Sequence, residues 1–165
     1  MIQKIVSGGQ TGVDRAGLDV AIQLGISHGG WCPRGRRAED GRIPERYELA
    51  ETDATDYSVR TEKNVADSDG TLIFFWQRLS GGTKLTTKLA KKYGRPLLEI
   101  DLSETPHEPA GSVCQRFKDW IAENQIQILN IAGPRESSAP EAVTRTETVL
   151  KCLIEFLNPQ NDLET

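Results

Sequence analysis

The stretch Ser7-Gly8-Gly9-Gln10-Thr11-Gly12-Val13-Asp14-Arg15 has the residue types of an anion cradle. Glycines let a backbone approach an anion closely, and the first N–H groups of a following helix have no partner inside it. The spacing Gly-Gly-x-x-Gly differs from the dinucleotide G-x-G-x-x-G, and no Lys-Ser or Lys-Thr follows as in a Walker loop. The same loop also reads as a tight turn before a capped helix. Thr11 and Asp14 stand three apart and predict a capping box. Two further loops repeat the composition: Ser80-Gly81-Gly82-Thr83 and Gly133-Pro134-Arg135-Glu136-Ser137-Ser138. Between residues 34 and 46, Arg34, Arg36, Arg37, Arg42 and Arg46 outnumber Glu39, Asp40 and Glu45. The guanidinium fork suits phosphate and other oxyanions, so this segment reads as a functional loop that recognises anions.

Little in these loops has the look of catalytic machinery. His28 and His107 stand near no Ser or Cys nucleophile arrangement and read as structural. Asp14 is the acid inside the first glycine loop, open to a capping role or to acid–base work. Cys32 reads as a small buried thiol, with a soft metal ligand as the alternative. Trp31 and Trp76 fall near strand ends, where they pack or stack on a flat heterocycle.

The elements that position these residues follow from periodicity. Ile2 to Val6 is an apolar run that predicts a strand, and Ala16 to Leu24 has helical spacing with Gly25 as its stop. A short strand is expected between Gly25 and Pro33, and residues 48–57 read as weakly structured. Residues 58–67 predict a helix carrying Arg60, Lys63 and Asn64. Residues 71–76 (TLIFFW) form the clearest buried strand. A helix over 83–93, a strand over 97–102, a helix over 113–124 and a strand over 127–132 come next. Ser138 and Glu141 predict a second capping box, opening a helix that runs to about Leu157. This alternation predicts an α/β fold: one Rossmann-like domain over residues 1–158, a mostly parallel sheet with helices on both faces, and a frayed tail at 159–165. In a parallel sheet the three glycine loops open on one edge, with three helix N-termini facing one crevice.

Composition narrows the function classes. The chain has 165 residues and a net charge of −4, which argues against a general electrostatic grip on nucleic acid. Cys32, Cys114 and Cys152 are odd in number and far apart, giving neither a disulfide framework nor a zinc-ligand spacing. Reduced thiols in a cytoplasm are the expectation. The N-terminus does not read as a signal peptide, and no apolar run approaches membrane-spanning length, so no membrane partner is expected.

Ser7 to Asp19, Gly30 to Arg37, Asp40 to Pro44, Arg60 to Asn64, Ser80 to Thr83 and Gly133 to Ser137 together resemble the molybdenum cofactor carrier proteins. The resemblance spans nearly the whole chain. It implies a Rossmann-like fold, similar to the lysine-decarboxylase-like and phosphoribohydrolase group in circularly permuted form. It implies binding and protection of molybdenum cofactor, a pterin that holds molybdenum through a dithiolene and ends in a phosphate. It also implies a homo-oligomer, with molybdoenzymes as recipients. Carried over by motif, Gly8, Gly9, Gln10, Thr11, Gly12 and Asp14 cradle an anion, and Ser80, Gly81, Gly82 and Thr83 supply further donors. Arg34, Arg36, Arg37 and Arg135 neutralise charge, and Trp31, Asn64 and Ser137 add contacts to the cofactor. The phosphoribohydrolase motif P-G-G-x-G-T-x-x-E, laid on residues 7–15, meets Ser7 at its proline and Arg15 at its glutamate, with Asp14 the nearest acid. That departure favours binding over hydrolysis; no catalytic residue and no protein ligand to a metal is expected. A nucleotide-processing hydrolase using Asp14 and a nucleotide-sensing module are the alternatives.

Overall fold

The computed structural model describes residues 1–109 and 111–158, so the tail at 159–165 lies outside the described residues. In chain order the elements are β1 (Lys4–Val6), α1 (Val13–Gln23), β2 (Ser27–Gly29), β3 (Trp31–Cys32), β4 (Arg37–Ala38), β5 (Gly41–Arg42) and β6 (Ala50–Glu51). Then follow α2 (Tyr57–Ala66), β7 (Gly70–Phe75), α3 (Gly81–Lys92), β8 (Leu97–Asp101), α4 (Ser112–Glu123), β9 (Ile128–Ala132) and α5 (Glu141–Leu157). Five strands make one sheet in the order β2-β1-β9-β7-β8, every neighbouring pair parallel. The chain is an α/β Rossmann-like domain, as the alternation of strand and helix predicts.

Alternating strand residues sort the core into two layers. Ile5, Leu72, Phe74, Leu129 and Ile131 join the large apolar cluster formed with α1, α4 and α5. Val65 of α2 packs with Leu89 and Ala90 of α3 and with Leu97 in a smaller cluster. On that second side the sheet is partly polar: buried Asn130 donates from Nδ2 to the Thr71 hydroxyl at 3.1 Å. Apolar burial therefore anchors the sheet from one side and leaves space beneath α2 on the other.

Three local expectations are corrected. Neither capping box forms. Gly12 and Pro140 stand at the N-caps of α1 and α5 without side-chain caps, and the Thr11 hydroxyl is turned to Glu39 instead. The arginine-rich stretch is not one continuous loop, because β4 and β5 pair as an antiparallel hairpin turning at Glu39 and Asp40. Helix α3 begins two residues earlier than expected, at Gly81, whose φ is +49°, and the Thr83 N–H donates back to the Ser80 carbonyl at 3.1 Å.

Candidate functional site

A cavity of about 340 Å³ opens where the loops after β1, β7 and β9 meet α2. Strand order reverses here: the chain steps outward from β1 to β2 on one side and from β7 to β8 on the other, with β9 between. Such a switch point leaves a crevice at the carboxyl ends of the strands. Its volume suits a small cofactor.

Three donors of the first glycine loop are spent internally. The Gly9 N–H donates to Ser7 Oγ at 3.4 Å, Gln10 N–H to Asp14 Oδ2 at 3.3 Å, and Thr11 N–H to Gln10 Oε1 at 3.0 Å. The Val13 N–H, first of α1, donates to the Pro134 carbonyl at 3.2 Å. The loop after β9 lies so close that a Cβ on Gly12 would fall 2.4 Å from that carbonyl oxygen. The N-terminus of α1 is thus covered by protein, contrary to the expectation of three helix N-termini open to one crevice.

Helix α3 differs. Its N-cap, Ser80, makes no side-chain cap, and the N–H groups of Gly81 and Gly82 meet no acceptor among the described residues. A Cβ on either glycine would touch nothing within 4 Å. Open donors at the positive end of a helix dipole favour an anion. Gln10 adds a second donor. Its Oε1 accepts from the backbone N–H groups of Thr11 and Glu39, at 3.0 and 2.9 Å, so the amide can face only one way. The Nε2 group is then left buried with no partner, in a residue that lines the cavity and is 5% exposed. An unpaired buried donor costs about 1–3 kcal/mol, which an acceptor brought by a ligand would recover.

Asp14 and Arg60 also line the cavity. Arg60 Nη1 lies 2.9 Å from Asp14 Oδ2, with both side chains largely buried. Burial pushes the Asp14 carboxyl above its ordinary value, and the Arg60 charge pulls the other way. The Arg60 Nε has no partner and, like the Gln10 amide, is a buried donor at the cavity.

Ten of the residues expected at a site line this cavity: Gly8, Gln10, Asp14, Asn64, Ser80, Gly81, Gly82, Thr83, Arg135 and Ser137. The others lie elsewhere. Gly9 (φ +72°) backs onto Leu49 and Ile43, where a Cβ would fall 2.5 Å from Leu49 Cδ1. Gly12 is covered as described. The Thr11 hydroxyl, the Ser137 N–H (3.2 Å) and the Ser137 hydroxyl (2.5 Å) all donate to the Glu39 carboxylate, which ties the β4–β5 turn to the loop after β9. Burial acts to raise the Glu39 pKa, but these bonds hold it below the ordinary value.

Arg36 proves structural. It takes a φ of +51°, is 5% exposed, and donates to the carbonyls of Ile43, Leu49, Pro44 and Tyr47 at 3.1, 3.3, 2.8 and 2.9 Å. Arg34 is exposed and away from the cavity, held through its own N–H to the Ala54 carbonyl at 2.8 Å. Arg37 is exposed on the hairpin, with its guanidinium over Tyr57. Trp31 lines a second cavity of about 280 Å³. Its indole N–H donates to Asp67 at 2.8 Å, and Lys63 Nζ stands 4.1 Å from its ring centroid. The amide of Asn64 pairs with both backbone groups of Trp31, at 2.8 and 2.9 Å, and forms the partition shared by the two cavities. Trp76 packs against the main core, and Cys32 is a buried thiol in a small apolar cluster.

Arg60, Thr61 and Asn130 are among the further lining residues, and they escape sequence reasoning as site residues. Arg60 and Asn64 stand four apart on α2, a spacing that puts both on one helix face. That signal was present in the sequence; nothing in the sequence picks out Asn130.

A sequence model of the circularly permutated YpsA SLOG family matches residues 5–154. The chain belongs to this family. Among solved structures, a "Putative molybdenum carrier protein" from Syntrophus aciditrophicus SB is 49% identical to this member of the family. The match covers 93% of this chain and 95% of that one, with a TM-score of 0.88. No curated protein matches the chain. The family resemblance drawn from the motifs is borne out. Among the described residues of this family member, no helix is long and apolar enough to cross a membrane.

Proposed function

We propose that this chain binds molybdenum cofactor by its terminal phosphate and holds it without transforming it. The observation that carries the reading is the set of unpartnered donors around the cavity: the Gly81 and Gly82 N–H groups at the start of α3, and Gln10 Nε2 elsewhere in the lining. The oxygens of a phosphate group are acceptors for such donors, and Arg60 and Arg135 elsewhere in the same lining make the cavity as a whole favour an anionic ligand. Asn130, also in the lining, bonds Thr71 through its Nδ2 and keeps its Oδ1 as an acceptor suited to the polar edge of a pterin. The solved relative named as a molybdenum carrier supports the choice of cargo.

Storage fits this wall better than turnover. The Asp14 carboxylate is engaged by the Gln10 N–H and by Arg60, which leaves it poorly placed to move a proton. Molybdoenzymes are the recipients in this reading, and a homo-oligomer in the cytoplasm is its expected setting.

Gly82→Leu tests the reading. Position 82 faces open space at the cavity wall and needs no positive φ, so the variant folds. Isothermal titration with inorganic phosphate should lose at least about tenfold in affinity, because the leucine covers the donors. Unchanged phosphate affinity in a folded Gly82→Leu protein would remove the cavity from the account.

A further inference from the structure

Tyr57, half-buried, opens α2. Three guanidinium groups lie over its ring, with Arg37, Arg60 and Arg135 at 5.4, 5.8 and 5.6 Å from the centroid. A ring has two faces, so at least two of these cations share one. Like charges gathered this closely repel, and an exposed cation–π contact returns only about 0.5–1 kcal/mol. Two of the three have a carboxylate nearby: Arg60 pairs with Asp14 at 2.9 Å, and Arg135 reaches Glu39 at 3.9 Å.

Arg37 has no carboxylate within 4.0 Å among the described residues. It is also directly opposite Arg42 in the β4–β5 ladder, where like charges are unfavourable. Arg42 is answered by Glu45 at 2.6 Å. Arg37 therefore carries surplus positive charge, held beside two other arginines on one side and across from a third. Arg60 and Arg135 also line the cavity, so the cluster is continuous with it.

We propose that Arg37, Arg60 and Arg135 around Tyr57 form a second anion site at the cavity mouth, so that the natural ligand carries two anionic centres. One centre sits at the start of α3 and the other against this cluster. The inference rests on the reading that the cavity takes a phosphate, and it narrows the ligand to a compact molecule with a phosphate and a second anionic group. A small molecule fits better than the acidic surface of a protein. Arg60 has only 14% of its side chain exposed, and a carboxylate on a folded partner could not reach between it and the ring.

The test compares inorganic phosphate, with one anionic centre, and pyrophosphate, with two, by calorimetry at fixed ionic strength. Wild type should bind pyrophosphate at least about tenfold more tightly than phosphate. In Arg37→Gln, an exposed substitution, the ratio of the two affinities should collapse toward one. Arg42→Gln, which removes a charge from the same hairpin outside the cluster, should keep the wild-type ratio. A wild type that does not prefer pyrophosphate, a ratio retained in Arg37→Gln, or an equal fall in Arg37→Gln and Arg42→Gln would each overturn the second site and leave the first intact. If wild type binds neither anion, the cavity reading falls as well.

Discussion

Gly8→Ala is a small substitution with a large expected effect. A Cβ at position 8 would lie 1.6 Å from Arg60 Nη1 and 2.3 Å from its Cζ, so the guanidinium must leave its place. The φ of Gly8 is not in the left-handed region, and the backbone itself accepts alanine. What is lost is the Arg60–Asp14 pair at 2.9 Å, which leaves Asp14, 4% exposed, without its cation. Removing one partner of a buried pair costs about 3–5 kcal/mol. Stiffening the unfolded chain returns about 0.4–1 kcal/mol, so the net loss is about 2–5 kcal/mol. Urea unfolding at neutral pH measures it. The mechanism predicts more than a number: Gly8→Ala and Arg60→Met remove the same pair, so the double variant should be little less stable than Arg60→Met alone. Additive losses would refute the reasoning, because they would mean that Gly8 matters for something other than the place of Arg60.

Three further expectations follow from the same geometry. Arg36→Met strips four backbone carbonyls of their donor and should cost at least about 3 kcal/mol in urea unfolding; a loss below 1 kcal/mol would mean that water replaces the guanidinium. Arg60→Gln should destabilise more as pH rises. The Asp14 pKa already lies above its ordinary 3.8 in the folded state, so protonated Asp14 favours folding at low pH and that contribution is lost as pH climbs. Removing Arg60 enlarges the loss, so unfolding midpoints of wild type and variant should diverge as pH rises above the ordinary 3.8 of Asp14, and parallel curves would contradict it. Asp14→Asn should leave a carrier without nucleotide hydrolysis to lose, whereas an enzyme using Asp14 as acid or base would drop about a hundredfold or more in rate. Wild-type hydrolysis of nucleoside monophosphates that collapses in the variant would replace the carrier reading with the hydrolase.

The architecture was legible because it rests on local patterns. The apolar run at 71–76, the helical spacing in 113–124 and the recurring strand–glycine–helix order survive in the structure with ends shifted by a residue or two. The site was legible only in outline. Loop composition brought Gly8, Gln10 and Ser80 to Thr83 to one cavity, because parallel strands must present their following loops on one edge. Composition could not tell which of those loops keeps its donors free. The oxygens of Ser7, Asp14 and Gln10 fill the first loop from inside, and that depends on side-chain geometry across a turn. Gly9→Val, the natural probe of a glycine nest, would strike Leu49 and report on packing instead. Arginine type alone likewise could not separate Arg36, turned inward onto four carbonyls, from Arg37, turned outward over Tyr57. The two are adjacent in sequence, and only the left-handed turn at Arg36 sends them to different tasks.

On the proposed reading, this cavity holds molybdenum cofactor by its phosphate. Native mass spectrometry of protein purified from a cofactor-replete host, read beside its molybdenum content, tests it most directly. The account predicts a pterin-phosphate adduct on the wild-type chain, carrying molybdenum, released by excess inorganic phosphate and missing from Gly82→Leu. A wild-type chain that arrives empty, or one whose adduct is a nucleotide without molybdenum, would contradict it.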